Sequence, residues 1–345
     1  HLDGQLDRSV GQRLLGDAVP AAATFNFGFL HGVGLQERPD NLEYIEITEE
    51  SREEMALFGE IGFDITDAWN VTVGARWFEY DVEATGGIDL PILRTTLQGR
   101  EPNDLIAPEF DTSEGDDDDV ILKFNTSYDF SDDIMGYLTV SEGYRNGIAN
   151  AVAACPEDLT GQNVCAQPDE ILVDPDKTTN YELGVRSQFG DELILNGSVY
   201  FIEWEDVRVD GVTENGGLPI FVNGNDAESY GIELSGLMYI TPDLSISGSY
   251  SYNKAELSED APGIIDGAYD TDSFSAPSVD GEDGDRLPGS PEHQVYLAAN
   301  YSCDLEGGSN LDFNWSMTAQ SDVLTKVGGK ASSTDLDGYA LHNAS

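Results

Sequence analysis

The stretch Leu244-Ser-Ile-Ser-Gly-Ser-Tyr-Ser-Tyr-Asn253 limits the chain's possible folds more than any other. Leu244, Ile246, Gly248, Tyr250 and Tyr252 alternate with Ser245, Ser247, Ser249, Ser251 and Asn253. A strand has a side-chain period of two, so one face is apolar and the other wet. The wet face carries serine and asparagine, with no lysine or glutamate. Such a face suits a polar interior at least as well as open solvent, which makes a transmembrane β-barrel a candidate.

Ten further segments read as strands. Leu57–Ile65, Val71–Tyr80, Val120–Phe130, Ile134–Tyr144, Tyr181–Phe189 and Leu193–Val207 come first. Tyr230–Ile240, Val295–Tyr301, Leu311–Thr318 and a cut-off Tyr339–Ser345 follow. Each is near the roughly ten residues that a tilted membrane strand needs. The connections alternate strictly. Thr66–Trp69, Ser131–Asp133, Gly190–Glu192, Thr241–Asp243 and Cys303–Ser309 are short and rich in turn formers. Asp81–Asp119, Arg145–Thr178, Arg208–Glu228, Ser258–Glu292 and Ser321–Gly338 are long. In an up-and-down sheet all long loops then lie at one end, as in outer-membrane barrels with short periplasmic turns and long extracellular loops. A soluble sandwich or propeller has no reason to sort its loops this way. The expected fold is therefore all-β: an antiparallel up-and-down transmembrane β-barrel, present in part. Residues 1–56 read as a loop-rich segment, mostly extracellular loop with some local structure, and residues 57–345 as barrel.

Charge narrows the partners. With 16 Lys+Arg against 66 Asp+Glu, the formal net charge is −50. No nucleic-acid partner is expected, because phosphate affinity comes from lysine and arginine. The aromatics Trp69, Tyr80, Tyr128, Phe130, Tyr181, Phe189, Trp204, Tyr230 and Tyr252 gather near strand ends, as interfacial girdles do. Outer-membrane lipid is thus an expected partner. Cys155 and Cys165 flank a polar loop, and a disulfide there would close it in an oxidising compartment; two free thiols are the alternative.

Several local phrases resemble TonB-dependent outer-membrane receptors. Ala56-Leu-Phe-Gly-Glu60 through Gly74-Ala-Arg-Trp77 is similar to one of their hairpins. Tyr137-Leu-Thr-Val-Ser-Glu-Gly-Tyr-Arg-Asn-Gly147 and Pro175-Asp-Lys-Thr-Thr-Asn-Tyr-Glu-Leu-Gly-Val-Arg186 resemble two of their strands. Asn223–Glu233 and Gly284–Pro291 look like two more of their phrases, and all five stand in family order. The resemblance implies about half of a barrel of about 22 strands. It also implies a plug domain and a TonB box, neither of which is seen in this stretch. The expected function is outer-membrane active transport of a scarce nutrient: a ferric siderophore, haem, cobalamin or a saccharide. The plug, the TonB–ExbB–ExbD complex and the nutrient are the implied partners. A passive channel or surface-binding barrel is the alternative, followed by a soluble secreted acidic β-protein.

No catalytic constellation is visible. His1, His31, His293 and His342 are scattered, and no spacing suggests a nucleophile. Enzyme activity and a resident cofactor are not expected. Glu60, Arg76, Lys123, Glu182, Arg186, Glu233 and Asp312 fall on the polar faces of their strands, with Glu60/Arg76 a candidate pair inside the lumen. A structural network in the lumen and contacts to the plug or a ligand are both open. Arg145, at a strand's outer end, is a candidate ligand contact. The acidic loop residues Asp116, Asp117, Asp118, Asp119, Asp283 and Asp285 are candidate Ca²⁺ ligands, with solvated acidity as the plainer account.

Overall fold

The computed structural model describes residues 45–89, 109–155, 165–214, 219–265, 279–305, 308–330 and 333–345. Most of the segment 1–56 lies outside these residues. Eleven antiparallel strands form one sheet whose spatial order follows the chain. They are β1 (Ile45–Thr66), β2 (Trp69–Asp89), β3 (Glu109–Ser131), β4 (Ile134–Arg145), β7 (Asp176–Phe189), β8 (Leu193–Glu205), β11 (Ala227–Thr241), β12 (Leu244–Leu257), β15 (His293–Leu305), β16 (Ser309–Gln320) and β17 (Tyr339–Ala344). Small ladders sit in the long connections: β5 (Ile148–Ala149) with β6 (Leu172–Val173), β9 (Arg208–Val212) with β10 (Pro219–Asn223), and β13 (Ala261–Ile265) with β14 (Val279–Gly281). The sheet does not close on itself among the described residues.

The short turns share a local cause. Thr66, Ser131 and Thr241 each end a strand, and each hydroxyl accepts from the backbone N–H two residues on, at Ala68, Asp133 and Asp243. All three sit beside a one-residue register shift, so the same device ends three hairpins at the same end of the sheet.

Register sorts the two faces. One outward row runs Leu138–Leu183–Val199–Ile232–Tyr252 from β4 to β12. Its aliphatic side chains are well exposed. Apolar exposure on this scale fits a hydrocarbon surround. The inward row beside it runs Tyr137–Gly184–Ser198–Glu233–Ser251–Gln294–Gln320. On this wet face large rings lie over small neighbours. A Cβ on Gly184 would fall 2.4 Å from the Tyr137 ring, and one on Gly231 would fall 2.0 Å from the Tyr252 carbonyl oxygen and 2.6 Å from the Tyr200 hydroxyl.

The first three strands depart from expectation. They run 22, 21 and 23 residues, far beyond a membrane span. β1 begins at Ile45, twelve residues ahead of the expected Leu57. Most of the described part of Asp81–Asp119 is strand rather than loop. Asp116, Asp117, Asp118 and Asp119 lie within β3, opposite Asp81, Tyr80, Glu79 and Phe78 of β2. The reason is a reversal of phase. Up to Trp77 the apolar residues of β2 are the odd ones, Val71, Val73 and Ala75, which face outward. From Phe78 they are the even ones, Phe78, Tyr80, Val82 and Ala84, which are buried on the inner side, while Glu79, Asp81 and Glu83 are exposed outside. The reversal marks the rim of the membrane belt. Below it lipid lies outside and a wet lumen inside; above it water lies outside and a packed loop inside.

That loop is the β4–β7 connection. Ala149 and Ala151 pack on Phe78, Tyr80, Val82 and Ala84, and Val152 and Ala166 pack on Ile220 of β10. The wall divides to receive it. Pairing of β3 with β4 ends at Lys123/Ser141, although β3 continues with β2 and β4 with β7. Above that point side chains bridge the gap. Glu142 Oε2 accepts from the Leu122 N–H at 2.8 Å, Lys177 pairs with Asp119, and the Tyr144 ring stacks on Phe78 at 3.5 Å between centroids.

Candidate functional site

The inner wall bounds a concave cavity of about 730 Å³. One polar row crosses it: Arg186, Asn196, Ser235, Ser249, Tyr296 and Thr318, each opposite the next. The serine face of β12 is thus central to this cavity. Glu182 and Glu233 also line it.

The charges expected in the lumen stand on this inner face, in small networks. Glu60 and Arg76 do not pair. The register sets Phe58, not Glu60, opposite Arg76. Glu60 instead accepts from Lys123 at 3.0 Å, across Gly74, which has no side chain to intervene. Arg76 donates to Glu54 at 2.5 Å. Glu182 accepts from the Tyr137 hydroxyl, and Arg186 lies 5.1 Å from the same ring centroid. Glu233 faces Ser198 and Ser251, and Asp312 faces Ser302 near the short-turn end.

At the outer mouth Arg145 is held in place. Its guanidinium grips both carboxylate oxygens of Asp176, which is 4% exposed, and lies 5.8 Å from the Trp204 ring centroid. Trp204 Nε1 donates to the same carboxylate at 3.1 Å. The acidic candidates are dispersed: Asp119 pairs with Lys177, Asp118 accepts from Trp77 Nε1, and Asp285 pairs with Lys330. Asp283 donates its N–H to Asp260. Among the described residues no three His, Cys, Asp or Glu side chains converge to hold a metal ion. Burial pushes the Asp285 carboxyl up, but Lys330 and the Glu282 N–H outweigh it and hold it below the ordinary value. Cys155 and Cys165 are joined, with Cα atoms 4.9 Å apart.

Other residues shape the mouth without having been singled out in the sequence. Glu54 accepts from Arg76, the Tyr144 hydroxyl and Asn146 Nδ2. Two asparagines tie the β4–β7 and β8–β11 connections together. Asn150 pairs with the Phe221 backbone, and Asn223 pairs with the Asp174 backbone. Arg208 donates to the Asn146 carbonyl at 3.4 Å and lies 5.9 Å from the Phe221 ring centroid. No carboxylate partners Arg208 among the described residues. Burial above all, then the nearby Arg145, pushes its guanidinium below its ordinary value. Asn146 and Asn223 stand in two of the phrases quoted above, but Glu54, Asn150 and Arg208 stand in none, because their partners lie 13–92 positions away.

A family model described as "TonB dependent receptor-like, beta-barrel" matches residues 4–345. The chain belongs to this family. As a TonB-dependent receptor barrel it is an outer-membrane protein, and its family and fold are those of transport receptors. The match runs through the segment 1–56 as well. Among solved structures, the ferric yersiniabactin uptake receptor FyuA from Yersinia pestis is similar at 17% identity and a TM-score of 0.66, over 89% of this chain and 39% of that one. The siderophore receptor PiuA from Acinetobacter baumannii is similar at 15% identity and 0.58, over 88% of this chain and 37% of that one. The ferric-catecholate import receptor Fiu from E. coli K12, in its closed form, gives 17% and 0.55, over 86% and 38%. The chain therefore spans about two fifths of the length of these receptors. No curated protein sequence gives a significant match.

Proposed function

We propose that this TonB-dependent receptor barrel serves energised uptake of a scarce nutrient across the outer membrane, with a ferric siderophore the first candidate. The observation that carries the reading is the pairing of an apolar outer wall with a concave inner wall of serine, asparagine, tyrosine and paired charges. An inner surface of this kind has its hydrogen-bonding groups displayed, ready for a polar occupant. The plug domain of the full receptor is the proposed occupant, and TonB–ExbB–ExbD the proposed energy source. The fold likeness to three siderophore or ferric-chelate receptors supports iron as the cargo.

The test is growth of an iron-starved host carrying the full-length receptor on candidate ferric chelates, with and without TonB. Growth that requires both the receptor and TonB is expected. Uptake unaffected by TonB loss would instead indicate a passive channel and defeat the proposal.

A further inference from the structure

Two sections of the wall overlap where β3 and β4 part. Tyr144 of β4 lies opposite Lys177 of β7, an even number of positions along from the outward pair Leu138 and Leu183. Both therefore stand on the outward face of their strands, and Glu142, opposite Thr179, stands there too. Phe78 of β2 and Asp119 of β3, also opposite each other, stand on the inner face of theirs. Yet the Tyr144 ring stacks on Phe78, and Lys177 pairs with Asp119. The outward face of β4 and β7 thus meets the inner face of β2 and β3. Above Lys123 and Ser141 the wall is a lap joint, with no strand ladder between its two faces.

β3 reaches this joint with its edge already finished. Its edge N–H groups beyond Lys123 have no ladder partner and need other acceptors. Every second amide of a strand points to the same edge, which groups Leu122, Val120 and Asp118. Leu122 donates to Glu142 of β4 at 2.8 Å. Val120 donates to the Asp119 carboxylate at 2.7 Å and Asp118 to that of Asp117 at 2.9 Å, so these two caps belong to β3 itself. Of the three amides, only that of Leu122 loses its acceptor when the faces separate. The remaining links are light. Lys177 and Asp119 are 47% and 33% exposed, which makes their pair weak. The apolar cover that Phe78, Tyr80, Val82 and Ala84 receive from across the joint is one ring and two alanines, Tyr144, Ala149 and Ala151. Glu54 adds hydrogen bonds to Tyr144 and Asn146.

We infer that this lap is a moving joint: the upper part of β4, with the β4–β7 connection it carries, swings off β2 and β3 during uptake and widens the mouth. Packed faces separate by releasing side chains, whereas strands within a sheet separate only by breaking their ladder. The acidic run Asp116–Asp119 has a part in this, because Asp117 and Asp119 keep the exposed edge of β3 satisfied in both positions. The inference rests on the uptake reading, for which it supplies the moving part of the wall.

Two measurements on the full-length receptor test it. Lys177→Met removes the ion pair across the joint. Hydrogen exchange at the Leu122 amide should then quicken about two- to five-fold, the reach of an exposed pair, while Val120 and Asp118 keep the parent rate. Equal quickening at all three amides would mean that the strand edge frays as a whole and would overturn the inference, as would unchanged exchange at Leu122. In the second measurement Asp119→Cys and Lys177→Cys are combined and bridged by a short, reducible bis-thiosulfonate linker. Uptake of a ferric chelate should fall about ten-fold or more, as for a blocked conformational step, and return on reduction. A single-ended thiosulfonate on the same two cysteines should leave uptake at the unlabelled rate. The parent receptor under the same reagents controls for Cys155–Cys165 and Cys303. Undiminished uptake by the bridged receptor would overturn the inference. The exchange measurement needs neither TonB nor cargo. Selective quickening at Leu122 in a receptor without TonB-dependent uptake therefore defeats only the uptake reading, and equal uptake by parent and bridged receptor defeats only this one.

Discussion

Asn150 pairs with Phe221 as one strand pairs with another: its Nδ2 donates to the Phe221 carbonyl at 2.7 Å and its Oδ1 accepts from the Phe221 N–H at 2.9 Å. The same Nδ2 also donates to the Glu170 carbonyl at 2.8 Å. One side chain thus stands in for a ladder between two loops 71 positions apart in sequence. Asn150→Ala should cost the loop assembly about 1–3 kcal/mol, because it strands partly buried backbone groups on both loops. Hydrogen exchange at the amides of β10 should quicken accordingly, while exchange in β11 and β12 stays unchanged. Unaltered exchange at Phe221 would refute the staple.

Two ion pairs of similar appearance should behave differently. Glu60 and Lys123 are about half exposed, so Lys123→Ala should cost under about 1 kcal/mol. Asp176 is buried and satisfies both Arg145 and Trp204. Its replacement by alanine leaves a half-exposed guanidinium and an indole N–H without that partner and should cost about 1–3 kcal/mol. Urea unfolding in detergent micelles compares the two variants directly.

Asp206 should make the loops more stable in acid. It has a φ of 55°, in the left-handed region, and its carboxyl is raised by burial first, then by Asp226 and Asp174. A raised value in the folded state means that folding holds the proton. Stability is then fully present below the ordinary value of 3.8 and is lost as pH rises through the folded value. Asp206→Asn removes that loss and keeps a residue that tolerates the left-handed conformation. Exchange at Asp206 and Asn223, taken as the ratio of parent to variant, should rise between about pH 3 and pH 7. The rise should not exceed about five-fold, since partly exposed charges act weakly. A flat ratio would contradict it.

The facing of the wall is testable in one strand pair. Leu183 lies in the outward row and Ser198 in the inward one. Leu183→Arg should cost about 2–4 kcal/mol at membrane depth, and Ser198→Arg under about 1 kcal/mol. Folding titrations into lipid vesicles would give both values. Equal penalties would mean that the faces are misassigned.

Much of this architecture was legible in residue order. The alternation in Leu244–Asn253 placed β12 correctly, and the Thr66, Ser131 and Thr241 turns separated short connections from long ones. Other features were written in a form that misled. Phe78, Tyr80, Val82 and Ala84 alternate with acids as cleanly as any membrane strand, but in the opposite phase, so the strand seemed to end where it leaves the bilayer. The Glu60/Arg76 pairing failed for a related reason: both residues face inward, yet the register sets them two positions out of step and Gly74 opens a path to Lys123. Glu54 and Asn150 carried no signal, because a hydrogen bond across 71 or 92 positions follows from the packing of whole loops.

The parting of β3 from β4 above Lys123 and Ser141 has a mechanical consequence. Around the belt, widening the wall means breaking a continuous backbone ladder. At this seam it means releasing side-chain contacts, among them the Glu142 clasp on Leu122, the Lys177–Asp119 pair, the Tyr144–Phe78 stack and the hydrogen bonds of Glu54 to Tyr144 and Asn146. The rim can flare there as a cuff opens at its slit, while the backbone ladder between β3 and β4 below stays whole.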